Sequence, residues 1–523
     1  MRALTILLAL CGVAHAVPDE MARVYGLLES SRLDEAAPLV DRLRRDASVY
    51  PFAAGAWAYY HGDYAAAADT LETALAAGVL DPQLVGEARQ MRDLARNNAA
   101  VIKGFVHRRS AHFDLAVAPG LDETLLGPAL DTLERQWTEA GGDLGEQPAG
   151  PIRVEIYGDI TDLAKVSPLT VAEIETSGTI ALCKYNRLMA TSPRALVAGY
   201  PWLDTLSHEL THYLVTRASH DTVPIWLHEG IAKMEETRWR SPFGGTLAPS
   251  QEHLLATGLR DGHLITFAQM HPSMALLPSQ EDAGLAFAEV TTALQRITEG
   301  RGAAALRKLI GALRDGADVS HAVLAVTGET LPAFEKSWRA WLKTRGYKLH
   351  PELGMARLRF QRDGKQANAE EDEDAALDKK PGSERDQRAR GHVRLGTMLR
   401  TRGRLQAAAM EYEQASAIFG AGHPEVAGRL GRTYLELHAW DKAIASARPG
   451  IERRPESAGL KATVGRALLE KGDDAAARPY LEGALAVNPY DPQTRCGLQK
   501  IYAALHDARE AVEADACKRV SAR

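Results

Sequence analysis

The C-terminal part of the chain repeats itself every 34 or 35 residues, and that regularity restricts the fold more than any other feature. Gly396, Gly431 and Gly465 are 35 and 34 residues apart. The same step relates Leu395, Leu430 and Val464, then Ala408, Ala443 and Ala477. It also relates Tyr412, Ala447 and Leu481, and Ala415, Gly450 and Ala484, with Pro455 and Pro489 closing two units. Small residues at fixed positions let two antiparallel helices approach closely, while large ones fill the groove between neighbouring pairs. Near the N-terminus, Gly55, Gly62, Ala67, Leu71 and Ala74 follow the offsets of Gly396, Gly403, Ala408, Tyr412 and Ala415. A weaker unit between Leu33 and Leu43 precedes them.

This register resembles the tetratricopeptide repeat over residues 389–489, with a more degenerate helical cap to Val520. The resemblance implies stacked helix pairs that offer a surface to a protein partner. The aromatic fraction of 6% suits such alanine-rich helices better than a β-sandwich. The expected organisation is a signal peptide (1–16), a short helical repeat region (17–98), a central domain (99–350), a charged linker (351–388) and repeats with a cap (389–523).

Residues 1–16 read as an export address. Arg2 precedes an apolar run from residue 3 to 14, and Ala14-His15-Ala16 is a small-x-small cleavage site. Twelve apolar residues are fewer than the roughly 20 a spanning helix needs. Lipid attachment at Cys11 is disfavoured by the bulky Leu10 before it. The expected location is therefore periplasmic or secreted. Three cysteines remain after cleavage, Cys183, Cys496 and Cys517, which allow at most a Cys496–Cys517 bridge and no Cys-x-x-Cys metal site. A net charge of −6 excludes the electrostatic footprint of a nucleic-acid binder. The acidic run Glu370-Glu371-Asp372-Glu373-Asp374 lies in a segment too polar to fold alone, a solvated linker.

The central domain opens with alternating strands at residues 112–117 and 152–157, separated by an amphipathic stretch at 123–140. Residues 179–184 and 188–191 form a further strand pair around Tyr185-Asn186-Arg187, and helices dominate from Trp202 onward. The fold class is mostly α, with a central α+β domain between helical repeats.

Its chemistry is concentrated in Ser207-His208-Glu209-Leu210-Thr211-His212. On a helix, residues i and i+4 share one face, so His208 and His212 reach one ion. Leu203, Leu206, Leu210 and Leu214 supply the apolar stripe that buries this helix. By itself the pattern is only suggestive. Sixteen residues separate His212 from Glu229, which stands in Pro224-Ile225-Trp226-Leu227-His228-Glu229-Gly230. Two histidines and one glutamate are a standard donor set for a catalytic zinc with an open fourth position.

Together, His-Glu-x-x-His and Trp-Leu-x-Glu-Gly resemble the gluzincin metallopeptidases, and more narrowly the peptidase-MA-like domains that accompany tetratricopeptide repeats. The resemblance covers roughly residues 101–350 and implies a zincin-like fold. It also implies one zinc held by His208, His212 and Glu229, with Glu209 as general base. An edge strand, either 179–184 or 188–191, would hold the peptide extended. The oxyanion-stabilising Tyr or His is not evident: Phe287 stands near its place, and Tyr185, Tyr200, His253, His263 and His271 are alternatives. Lys233 replaces a carboxylate four residues after Glu229, leaving Asp204, Glu235 or Glu236 to orient a ligand histidine. His228 is a competing ligand, although neighbours on a helix point about 100° apart. No Gly-x-Met-Glu-Asn element for capturing a free amino terminus is present, which favours endopeptidase action. Two functions follow: an exported zinc endopeptidase whose repeats recruit a protein substrate or partner, or a catalytically inactive scaffold of the cell envelope.

Overall fold

The computed structural model describes residues 19–271, 273–274, 277–350, 353, 358–361 and 383–522. The proposed signal peptide and the acidic run at 370–374 lie outside them. Contacts divide the chain into two units. One holds the chain up to Thr191 together with Thr205–Thr246 and Asp261–Gly346. The other holds Ser192–Asp204, Leu247–Arg260 and the chain from Tyr347 onward.

The first unit begins with helices α1 (Asp19–Glu29), α2 (Leu33–Arg42), α3 (Tyr50–His61), α4 (Tyr64–Ala77) and α5 (Val85–Val101). A sheet follows, made of β1 (Val106–Arg109), β2 (Phe113–Val117), β3 (Ile152–Tyr157), β4 (Ala181–Lys184) and β5 (Arg187–Thr191). Helix α6 (Leu126–Leu144) carries the chain from β2 to its parallel neighbour β3, and α7 (Ile160–Val166) and α8 (Val171–Ser177) lie between β3 and β4. Asp159 caps α7, and Thr170 with Glu173 forms a capping box on α8. The strand order is β1-β2-β3-β5-β4, with β3 and β5 parallel and both edge pairs antiparallel. Of the two candidate edge segments, only β4 is at an edge. The 188–191 alternative is overturned, because β5 inserts between β3 and β4.

The β4–β5 turn places both Tyr185 and Asn186 at φ 57°, the two-residue hairpin geometry that matches strand twist. Tyrosine is an unusual occupant of that region. Packing holds it there: its ring lies edge-on to Tyr59 at 5.2 Å and to Tyr60 at 5.6 Å. Asn186 donates to the Tyr60 carbonyl at 3.3 Å and accepts from the Tyr213 hydroxyl at 3.0 Å.

The N-terminal helices join the sheet through a buried polar network rather than standing apart as a separate region. Arg187, fully buried on β5, donates to the Tyr64 hydroxyl and to Asn98 Oδ1, both at 2.7 Å. Its Nε lies 3.2 Å from Glu155 Oε2 on β3. The Tyr64 and Tyr157 hydroxyls donate to the two Glu155 oxygens at 2.6 and 2.5 Å. A carboxylate and a guanidinium out of water need this many partners.

The first unit continues with α9 (Trp202–Ser219), which starts in the second unit, and α10 (Ile225–Glu235). Helix α11 (Pro249–Asp261) belongs almost entirely to the second unit, and α12 (Gln280–Thr298), α13 (Ala303–Arg314), α14 (Val319–Thr327) and α15 (Leu331–Leu342) return to the first.

In the second unit, α16 (Glu384–Thr401) pairs with α17 (Leu405–Phe419), and α18 (Pro424–Glu436) with α19 (Trp440–Arg453). Likewise α20 (Ala458–Glu470) pairs with α21 (Asp474–Leu485), and α22 (Pro492–Ala504) with α23 (Glu510–Ser521). A capping box from Ser383 to Asp386 starts α16 at Glu384, ahead of the boundary read at 389. The repeat register has a packing cause. A Cβ on Gly396 would fall 2.6 Å from the Tyr412 ring, and one on Gly465 would fall 2.6 Å from Leu481. Gly55 and Leu71, at the same spacing in the N-terminal helices, give 2.6 Å as well. Cys496 and Cys517 form a disulfide across the last pair, and Cys183 is free. Among the described residues, no helix is long and apolar enough to cross a membrane.

Candidate active site

Helix α9 sets His208 and His212 one turn apart, and α10 brings Glu229 to them. Three contacts fix α10. Pro224 leads into its first turn, Trp226 stacks on Phe267 at 4.0 Å, and Gly230 meets α12 so closely that a Cβ would fall 2.4 Å from Leu294. The glycine after Glu229 is therefore required by helix packing.

His208 Nε2 and His212 Nε2 are 3.0 Å apart, and Glu229 Oε2 lies 3.3 Å from the first and 3.4 Å from the second. Three donors at about 2.0–2.1 Å from one tetrahedral ion are themselves roughly 3.3–3.4 Å apart. The two edges to Glu229 have that length, the edge between the histidines is shorter, and the donor chemistry is that of a zinc site. Among the described residues it is the single such group of histidine, cysteine or carboxylate side chains.

The surrounding carboxylates and imidazoles orient the triangle. Glu236 Oε2 lies 3.4 Å from His208 Nδ1 and is itself held by Lys233 at 2.6 and 2.7 Å. Burial would raise Glu236, but the Lys233 ammonium and His208 hold it down at about 2. Lys233, the apparent departure from the family pattern, anchors the orienting carboxylate one turn on. Burial would also lower His208, yet the hydrogen bonds its ring donates to Glu229 and Glu236 push it up to about 10. Partial burial would raise Glu229, but His212 and His208 keep it well below the ordinary range.

His228 does not join the donor triangle. Its Nδ1 lies 2.6 Å from His212 Nδ1, and its Nε2 is 3.3 Å from Thr216 Oγ1. Burial and the neighbouring His212 lower it to about 3, so it is neutral. A His212 that offers Nε2 to a metal donates through Nδ1 to His228, and His228 Nε2–H then donates to Thr216.

Glu209 is buried, which raises its pKa, while His212, His208 and the Cys183 amide pull it down. The Cys183 amide belongs to the open side of β4. Thr191 donates to the Ile180 carbonyl, and the Lys184–Arg187 pair closes the turn, so by alternation Ala181 and Cys183 turn their backbone groups away from β5.

Tyr185 is in the aromatic cluster of the hairpin turn, His263 bonds Asp282 at 2.8 Å, and His271 is exposed. Tyr200, His253 and Asp204 belong to the second unit. Glu235 is fully buried with neither carboxylate oxygen hydrogen-bonded, so it does not orient a ligand. No motif in the sequence marks Gln136 or Thr216.

Burial, with Asp143 nearby, pushes Glu235 up to about 8 from its ordinary 4.5. Above pH 4.5 the unfolded chain ionises this group while the folded protein keeps it protonated until about pH 8. Stability is therefore lost as pH rises through that window, by up to about 1.4 kcal/mol per unit. Glu235→Gln should leave the melting temperature nearly unchanged at pH 4.5 and raise it by several degrees at pH 8. Thermal melts across that range check this, and an equal effect at both ends would contradict it.

Residues 135–344 match the family model of the Peptidase MA superfamily. No curated protein matches the chain by sequence. Among solved structures, native yeast LTA4 hydrolase is 13% identical over 79% of this chain and 66% of its own, with a TM-score of 0.29. MamA MSR-1 is 18% identical over 29% of this chain and 85% of its own, with a TM-score of 0.23. Both scores lie below 0.5, and the site is read from its own geometry. The match of residues 135–344 to the Peptidase MA superfamily supports a metallopeptidase-type domain there.

Proposed function

We propose that the protein is an exported zinc-dependent endopeptidase whose C-terminal repeats recruit a protein substrate or partner. The observation that carries the reading is the triangle of His208, His212 and Glu229 donors, with edges of 3.0, 3.3 and 3.4 Å. Zinc held there supplies Lewis acidity, bringing the ionisation of water into the neutral range and polarising a carbonyl.

The chain's own residues do the rest. Glu209, next to His208 but turned about 100° around the helix, takes the proton of the attacking water. It then returns that proton to the leaving amine nitrogen. Its raised pKa brings a carboxylate closer to neutral working pH, which suits a group that both accepts and donates. The outward backbone groups of Ala181 and the Cys183 carbonyl pair with an extended peptide, while the Cys183 N–H holds Glu209 beside its scissile bond. The Cys496–Cys517 bridge supports export, since such bridges persist in oxidising compartments.

The inactive-scaffold reading draws on the oxyanion position: Phe287 has no hydroxyl, and Tyr185 and His263 are engaged elsewhere. Hydrolysis of an unstructured peptide library by the zinc-loaded protein, beside Glu209→Gln, separates the two. Cleavage by the wild type and not by the variant supports the peptidase, and no cleavage by either supports the scaffold.

A further inference from the structure

We propose that Gln136 is a positioning residue of the metal site, one buried amide that fixes the two ligand-bearing helices against each other. The proposal rests on the zinc reading of His208, His212 and Glu229. Gln136 lies on α6 and is fully buried. Its Nε2 donates to the Glu235 carbonyl at 2.9 Å and to Thr211 Oγ1 at 3.1 Å, with the Ser207 carbonyl at 3.5 Å. Its Oε1 accepts from the Trp239 amide at 3.0 Å. Thr211 relays the contact by donating to the Ser207 carbonyl at 2.9 Å.

The bonded positions are the ones the site depends on. Ser207 and Thr211 directly precede His208 and His212. Glu235 directly precedes Glu236, the carboxylate beside His208 Nδ1. A side-chain amide has two N–H donors and an acceptor oxygen, and here all are used. An apolar side chain of the same size takes from the Trp239 N–H its bond to the amide oxygen and leaves the Glu235 carbonyl with the Arg238 N–H alone. The amide sets the spacing of α9 and α10 and thereby the edges of the donor triangle. Partners behind metal ligands are worth about 10- to 100-fold in metal affinity.

Zinc affinity, by competition with a chromophoric chelator, and peptide kcat and KM test this in the full chain. Gln136→Met should weaken zinc binding by about 10- to 100-fold and lower kcat more than it changes KM. Thr211→Ser, which keeps the hydroxyl, should match wild type, and Thr211→Val should lose part of the affinity. If the two side chains act through their shared bond, the Gln136→Met/Thr211→Val pair loses less than the product of the single losses. Leu130→Ala, a buried change on the same helix, lowers stability without touching this bond and should keep zinc affinity within about twofold.

A folded Gln136→Met protein with wild-type zinc affinity overturns the proposal, and so does an equal affinity loss in Leu130→Ala. Should Gln136→Met fail to fold, Thr211→Val decides: weakened zinc binding supports the proposal and unchanged binding overturns it. A wild-type chain that binds no zinc removes the metal-site reading itself, an outcome distinct from these.

Discussion

Glu209→Gln should lower peptide hydrolysis by about 10²- to 10⁴-fold, the usual contribution of a general acid–base group, while zinc content stays that of the wild type. Glutamine keeps the volume of the buried side chain and an acceptor oxygen toward the Cys183 amide. It cannot take a proton from water. Because Glu209 stands outside the donor triangle of His208, His212 and Glu229, the change leaves those donors in place. Parallel measurement of turnover and bound metal checks both halves. A variant that cleaves at the wild-type rate would show that Glu209 is not the base, and a variant that loses its zinc would show that it supports the site itself.

Arg187→Met should destabilise the protein by about 3–5 kcal/mol, the range for removing one partner of a buried ion pair. Arg187 is fully buried between β3 and the N-terminal helices, and besides Glu155 it binds Tyr64, Asn98 and the Val166 carbonyl. Its guanidinium also lies 5.4 Å from the Tyr59 ring centre and 5.0 Å from that of Tyr64. The variant leaves the Glu155 carboxylate, whose pKa burial presses upward, without Arg187, the stronger of the two cations that hold it down, and with Arg153 alone. Adding Glu155→Gln to Arg187→Met should recover part of the loss, since the less well compensated charge is then gone. Calorimetric or denaturant unfolding measures both. A loss of less than about 1 kcal/mol in the single variant would place the network among weakly coupled surface pairs.

The candidate site is legible in sequence where its geometry is local. His208 and His212 are spaced by one helical turn, and Glu229 follows in a segment with its own signature, so the three could be named before any fold was known. The repeats are legible for a similar reason: Gly396 and Tyr412, or Gly465 and Leu481, recur at a fixed step because each glycine admits the larger residue of the paired helix. What sequence could not supply depends on non-local contacts. Gln136 reaches Ser207 across 71 positions, and nothing near it in the chain marks it out. The choice between β4 and β5 as edge strand turns on where β5 inserts, which strand patterns do not encode. Strand β1 was missed because Val106, His107, Arg108 and Arg109 do not alternate apolar with polar, its exposed face having no core to fill. The N-terminal helices looked like a separate repeat because the residues tying them to the sheet, Tyr59, Tyr64 and Asn98, are polar groups with no repeating pattern.

The most direct test of the central claim is the zinc content of the mature chain after remetallation and desalting, measured beside Glu229→Ala. About one zinc per chain in the wild type is expected, held by one tetrahedral site, with zinc lost or much weakened in the variant that removes a ligand. A folded wild-type protein that retains no zinc would contradict the metallopeptidase reading.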